Sequence, residues 1–188
     1  VNTTGANNVA LGFLAMLNST TASDNIAVGV NALYTNTTGT SNTALGRSAL
    51  RYNTTASNNT AVGDSALQAN TTGTRNTAVG KSVLVANTTG VDNTAVGGID
   101  AAAAATLGSN TTGTNNVAVG GGALHSNTTA SNNTAMGYRA LKVNTTGAEN
   151  TAVGKSTMIT NTTGSSNTSL GRQSMYWNTT GYNNTATG

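Results

Sequence analysis

Few side chains in this sequence could do chemistry. His125 is the only histidine and stands beside Ser126 with no second ligand or nucleophile in phase, so it reads as an exposed surface residue. The five acids read as lying at unrelated phases, which leaves no recurring carboxylate pair for acid–base work or for calcium. The glycine run at 120–122 lacks the lysine and the strand–loop–helix setting of a phosphate loop. Without cysteine there are no disulfides and no thiolates. These residues predict a non-catalytic chain that needs no cofactor and no metal.

Contact is the remaining chemistry, and three features could supply it. The segment G-G-I-D-A-A-A-A-A-T-L holds six residues more than its counterparts, within 98–106, and places Ile99 and Asp100 on a bulge that could touch a partner. Tyr176, Trp177 and Tyr182 gather late in the chain, where they could stack on sugars or pack one fibre on another. The tripeptide N-T-T is an N-glycosylation acceptor pattern. It occurs at Asn2, Asn36, Asn53, Asn70, Asn87, Asn110, Asn127, Asn144, Asn161 and Asn178. A ladder of stacked Asn and a column of Thr would explain its recurrence equally well.

All of these residues are positioned by one device, a repeat. Asn-x-Ala-x-Gly, with Ser169 once in place of Ala, returns at Asn8, Asn25, Asn42, Asn59, Asn76, Asn93, Asn116, Asn133, Asn150, Asn167 and Asn184. The step is 17 residues every time except from Asn93 to Asn116, where it is 23. A fixed period in this range signals a solenoid or fibre. Only 36% of residues are hydrophobic and 7% charged, too little apolar matter for a round core, yet disordered chains do not hold apolar residues in phase through eleven copies. The net charge of +3 is small and reads as scattered, which argues against a nucleic-acid partner. No run of 18 apolar residues exists to insert in a membrane. The sequence starts and stops in mid-repeat and reads as a single repeat domain cut from a longer fibre.

Numbered from its leading Asn, the repeat is N-T-A-V-G-x-x-A-L-x-x-N-T-T-G-x-x. Positions 2 to 4 alternate like a half-buried strand, and position 5 is Gly in all eleven copies, as a tight corner would require. A second short strand is expected around A-L. These readings put Val62, Leu67, Val79, Leu84, Val119 and Leu124 in the core and make a ladder of Asn42, Asn59, Asn76, Asn133 and Asn150. Recurrent Thr-Thr and Gly exclude helix, so the fold class is all-β, a parallel β-solenoid with 17-residue coils. Small residues at positions 3 and 8 look like places where another backbone comes close, which predicts several chains, three, sharing the core.

The strands N-T-A-V-G and N-V-A-L-G resemble the N-S-V-A-I-G repeat in the head of trimeric autotransporter adhesins of the YadA type. The longer unit A-L-x-x-N-T-T-G-x-x-N-T-A-V-G resembles repeats of bacterial and phage tail-fibre-like proteins that end in a self-cleaving intramolecular chaperone domain. The resemblance implies a trimeric, left-handed β-roll at a cell or virion surface. The expected function is the structural or adhesive shaft of an extracellular fibre, with its own copies and surface glycans as partners. Ice binding is the alternative, if Asn and the second Thr of N-T-T form a flat polar grid.

Overall fold

Seventeen residues can close a coil only with corners at fixed places, and one of those corners falls on the glycine of position 5, which never varies. The computed structural model describes residues 3–188 and is a parallel β-solenoid. Its strands are β1 (Val9–Leu11), β2 (Ile26–Val28), β3 (Thr43–Leu45), β4 (Thr60–Val62), β5 (Thr77–Val79), β6 (Thr94–Val96), β7 (Val117–Val119), β8 (Thr134–Met136), β9 (Thr151–Val153), β10 (Thr168–Leu170) and β11 (Thr185–Thr187). They form one sheet in chain order, each parallel to the next. Like lies over like: Thr60 pairs Thr77, Ala61 pairs Ala78 and Val62 pairs Val79. At about 4.8 Å per rung the stack is roughly 50 Å long.

The second strand expected around A-L does not exist; each coil has one strand, and A-L lies in a turn. Position 9 is left-handed throughout, with φ of 50° at Leu67 and 52° at Leu84. Positions 7 and 17 share that conformation, as at Ser65 (φ 60°) and Arg75 (φ 57°). A β-branched residue is strongly disfavoured there. This explains why position 9, though the centre of the core, holds Leu or Met and never Val or Ile. Gly63 at position 5 has φ 134°, and a Cβ there would lie 2.5 Å from the Gly80 carbonyl oxygen of the next rung. Conformation and close approach both demand glycine.

The strand faces the opposite way from the expected one. Ala61, Ala78 and Ala118 point inward and are fully buried, whereas Val62, Val79 and Val119, expected in the core, stand outward and half-exposed. The coil is too narrow to admit two Val per strand beside Leu67. A column of Leu33, Leu50, Leu67, Leu84, Leu107, Leu124, Leu141 and Met158 fills it, all with no exposed surface. Ala at positions 3 and 8 therefore packs inside its own coil, and its small size no longer argues for a second backbone. Where Ser169 replaces Ala, Thr157 supplies the hydroxyl partner at 2.8 Å, so the buried polar pair is matched.

Two buried amide ladders run beside this column. Asn59 Oδ1 accepts the backbone N–H of Asn76 at 3.0 Å and Asn76 Nδ2 at 3.3 Å. Asn70 Nδ2 donates to Asn53 Oδ1 at 2.9 Å. Both ladders then converge, since Asn59 Nδ2 and Asn70 Nδ2 each donate to the Gly73 carbonyl at 2.9 Å. Asn42, Asn133 and Asn150 occupy the same places in their own rungs. A third column runs at the rod's edge, where Thr54 Oγ1 donates to the Thr71 carbonyl at 3.1 Å and Thr71 repeats the bond to Thr88. Buried amides that would be costly unpaired thus bind coil to coil.

Candidate functional site

With the interior committed to ladders and Leu, function must lie on what the rungs turn outward. The sheet's outer face carries two rows along the rod. Position 4 presents Leu11, Leu45, Val96, Met136 and Leu170, all exposed, and position 2 presents Thr with Val9 and Ile26. A contiguous apolar stripe of this kind is unusual on a soluble surface and marks a place of contact.

Beyond the position 5 corner lie positions 6, 7, 10 and 11, where the sequence varies most. Seven of the eight Lys and Arg stand there, all but Arg75, with six of the seven aromatic residues, all but Tyr182. Only two acids join them. Asp64 pairs with Arg47 at 3.2 Å. Asp100 reaches the same corner from the irregular coil. Guanidinium and aromatic groups already meet, since Arg51 sits 5.1 Å from the Tyr52 ring centre and 5.9 Å from that of Tyr34. Arg139 and Lys155 flank Tyr138 at 5.0 and 5.9 Å. Gln173, Tyr176 and Trp177 line one open cavity, so positions 7, 10 and 11 share a surface.

The acids are not scattered. Asp24, Asp92 and Glu149 all occupy position 17, on a different line, where Arg75 clasps Asp92 through two bonds of 2.6 and 2.8 Å. The charges are therefore segregated around the rod rather than spread over it.

The irregular coil folds onto the rod instead of projecting from it. Ile99 and Ala105 form an antiparallel bridge, and Asp100 turns inward with no exposed side-chain surface. Its carboxylate accepts the N–H groups of Ala102 and Ala104, both at 2.8 Å, and pairs with Arg139 at 2.6 Å and Lys142 at 3.2 Å. Burial pushes this carboxyl up, but the Ala104 N–H, Arg139, the Ala102 N–H and Lys142 together outweigh it and hold it well below the usual carboxylate range. The glycine run at 120–122 gives the loop room, since a Cβ on Gly122 would lie 2.9 Å from Asp100 Oδ2. Asp100 is thus a clamp and not a contact residue, while Ile99 remains exposed.

Several other sequence expectations change. Asn36, Asn53, Asn70, Asn87 and Asn144 have no exposed surface and spend their amides in the ladder, so the folded rod offers them to no glycosyl donor. Asn2 lies outside the described residues. The same burial removes Asn from the grid imagined for ice. His125 is half-buried, with Nδ1 3.0 Å from the Ala105 carbonyl, an acceptor that places the proton on Nδ1. Trp177 is 81% exposed, and Tyr176, half-buried, meets it edge to face at 4.7 Å. Among the described residues no helix is long and apolar enough to cross a membrane. Nor does any group of three His, Cys, Asp or Glu come together among them. The basic corner was missed at sequence level, although sorting Lys and Arg by position within the repeat would have revealed it. No protein-family model, curated protein or solved structure matches this chain.

Proposed function

We propose that this chain is the non-catalytic shaft of an extracellular surface fibre, and that three copies associate along the outer face of the β1–β11 sheet. The supporting observation is the apolar stripe, because Leu11, Leu45, Val96, Met136 and Leu170 are exposed in one row along the rod. A second chain laid on that stripe would bury it without disturbing either ladder. Stiffness follows from the ladders, since every rung is bonded to both neighbours by backbone and amide. The resemblance to adhesin and tail-fibre repeats supplies the surface setting and the number three. Light scattering tests the reading: the native chain should show three times its chain mass, and Val79→Lys with Val96→Lys should reduce it to one. A monomeric native chain would end the proposal.

A second reading moves ice binding to the same sheet face, where a row of Thr60, Thr77 and Thr94 runs beside a row of Val62, Val79 and Val96 in register. Thermal hysteresis of the monomeric form separates the two, because a shaft has no reason to halt the growth of ice.

A further inference from the structure

We infer that the corner formed by positions 6, 7, 10 and 11 is a binding surface for a linear anionic polysaccharide. This rests on the reading of the chain as a surface shaft, which is what would bring it against polysaccharide. Composition hides the site, because a net charge of +3 for the whole chain averages two unlike lines. The corner alone holds seven cations against Asp64 and Asp100, a surplus of five, and position 17 carries three acids against Arg75. Arg51, Lys81, Lys155 and Arg172 have no ion pair among the described residues. They are free to meet a ligand.

Charge density selects the ligand class. Five surplus charges over a rod of about 50 Å give roughly one per 10 Å. Duplex DNA presents one phosphate per about 1.7 Å and would leave most of its charge unanswered on this surface. A polysaccharide with one acidic group on every second sugar is far closer in spacing. Aromatic side chains complete the match, because Tyr52, Tyr138 and above all Trp177 are exposed among the cations, and sugar C–H faces pack on such rings. Gln173, beside Tyr176 and Trp177 in the open cavity, supplies an amide that can both donate to and accept from hydroxyls.

Trp177 is the only tryptophan, so its fluorescence reports on the site directly. Hyaluronate, neutral dextran and single-stranded DNA are titrated into the full chain. Hyaluronate should quench the signal and bind more weakly as salt rises. Dextran should leave the signal unchanged, and DNA should bind less tightly than hyaluronate. Lys155→Ser with Arg172→Ser should weaken hyaluronate binding by about tenfold, while Arg75→Ser, on the other line, should leave it unchanged. Both sets change only outward side chains, and circular dichroism checks that the coil is kept. Equal loss in the Arg75 variant, tighter binding of DNA, dextran binding as well as hyaluronate, or no response to hyaluronate would each overturn the inference. Mass is read on the same samples. Trimers that ignore hyaluronate sink this inference alone, whereas a monomer that binds it sinks the three-chain shaft and leaves the corner standing.

Discussion

The rungs at β4 and β5 and the irregular coil between β6 and β7 do the same job by opposite means. In the regular rungs like residues lie over like, so Asn59 bonds to Asn42 and Asn76, and Gly63 lies close against Gly46 and Gly80. The irregular coil keeps Leu107 and Asn110 in their columns, but its insertion has no counterpart in other rungs, and there Asp100 is held by partners that occur once each, Arg139 and Lys142 from two rungs further on. Repetition places identical demands on every copy. The unique clamp leaves its neighbours free to change together, as the glycines at 121 and 122 have.

Glycine substitutions should separate the two regimes most sharply. Gly63→Ala forces a side chain onto φ 134° and into the Gly80 carbonyl oxygen, a backbone atom that cannot swing aside as a side-chain end could. The expected cost exceeds about 4 kcal/mol. Because stacked repeats are coupled mainly to their nearest neighbours, the urea transition should split into two, one for each side of the damaged rung. Gly122→Ala meets only the end of the Asp100 side chain at 2.9 Å, in a φ of 71° close to what Ser65 and Ser82 adopt at the same position. It should leave a single transition, shifted slightly.

The ladder itself comes next. Asn59→Ala deletes acceptors for the Asn76 N–H and amide and a donor to the Gly73 carbonyl, all buried. At about 1–3 kcal/mol for each buried group left unpaired, a loss of about 3–5 kcal/mol is expected in urea unfolding.

How far these features were legible differs between the same two regions. Periodicity was enough for the solenoid and the Asn stack, because a residue type repeated in phase has to lie over itself, but it did not exclude the second strand expected at A-L. The inward and outward faces of the strand were not legible, since T-A-V fits either phase of a two-residue alternation. Only the coil's width decides that Ala61 goes inside. The turn at A-L left one trace, the absence of Val and Ile at position 9, which records a left-handed backbone and not merely a need for bulk. Nothing in the sequence around Asp100 pointed to Arg139 or Lys142, because a contact made once has no periodicity to betray it.

Acid should loosen the irregular coil more than the regular rungs, whose paired carboxylates Asp64 and Asp92 are partly exposed. The carboxyl of Asp100 is depressed in the folded chain, so its contribution is fully present above the ordinary carboxylate pKa and is lost progressively as pH falls from there into strong acid. Amide exchange at Ala102 and Ala104, corrected for intrinsic rates, should speed up over that range while the amide of Leu67 stays protected. Asp100→Asn should show the faster exchange already at neutral pH. Equal protection of Ala104 at both pH values would mean that the bridge between Ile99 and Ala105 holds the loop without the clamp.

The smallest expected effect is a gain, and it tests the ladder from the other side. Ser19 occupies position 12, where every later rung has Asn, and its hydroxyl is buried with no partner among the described residues. Asn36 above it accordingly donates only to the Gly39 carbonyl, whereas Asn53 donates to both Ala56 and Asn36. Ser19→Asn would give Asn36 Nδ2 its missing acceptor and provide a second donor for the Ala22 carbonyl, which now receives Asn8 alone at 2.7 Å. Room is not an obstacle, because Asn53 and Asn127 already sit in rungs that carry Ala at position 15, as this one does. The expected stabilisation is about 1 kcal/mol. Ser19→Ala sharpens the result: it removes the unpaired hydroxyl but builds no bond, so it should raise stability less than Asn does. If Ala stabilises as much as Asn, relief of one buried hydroxyl accounts for the gain, and the amide ladder contributes nothing at its first rung.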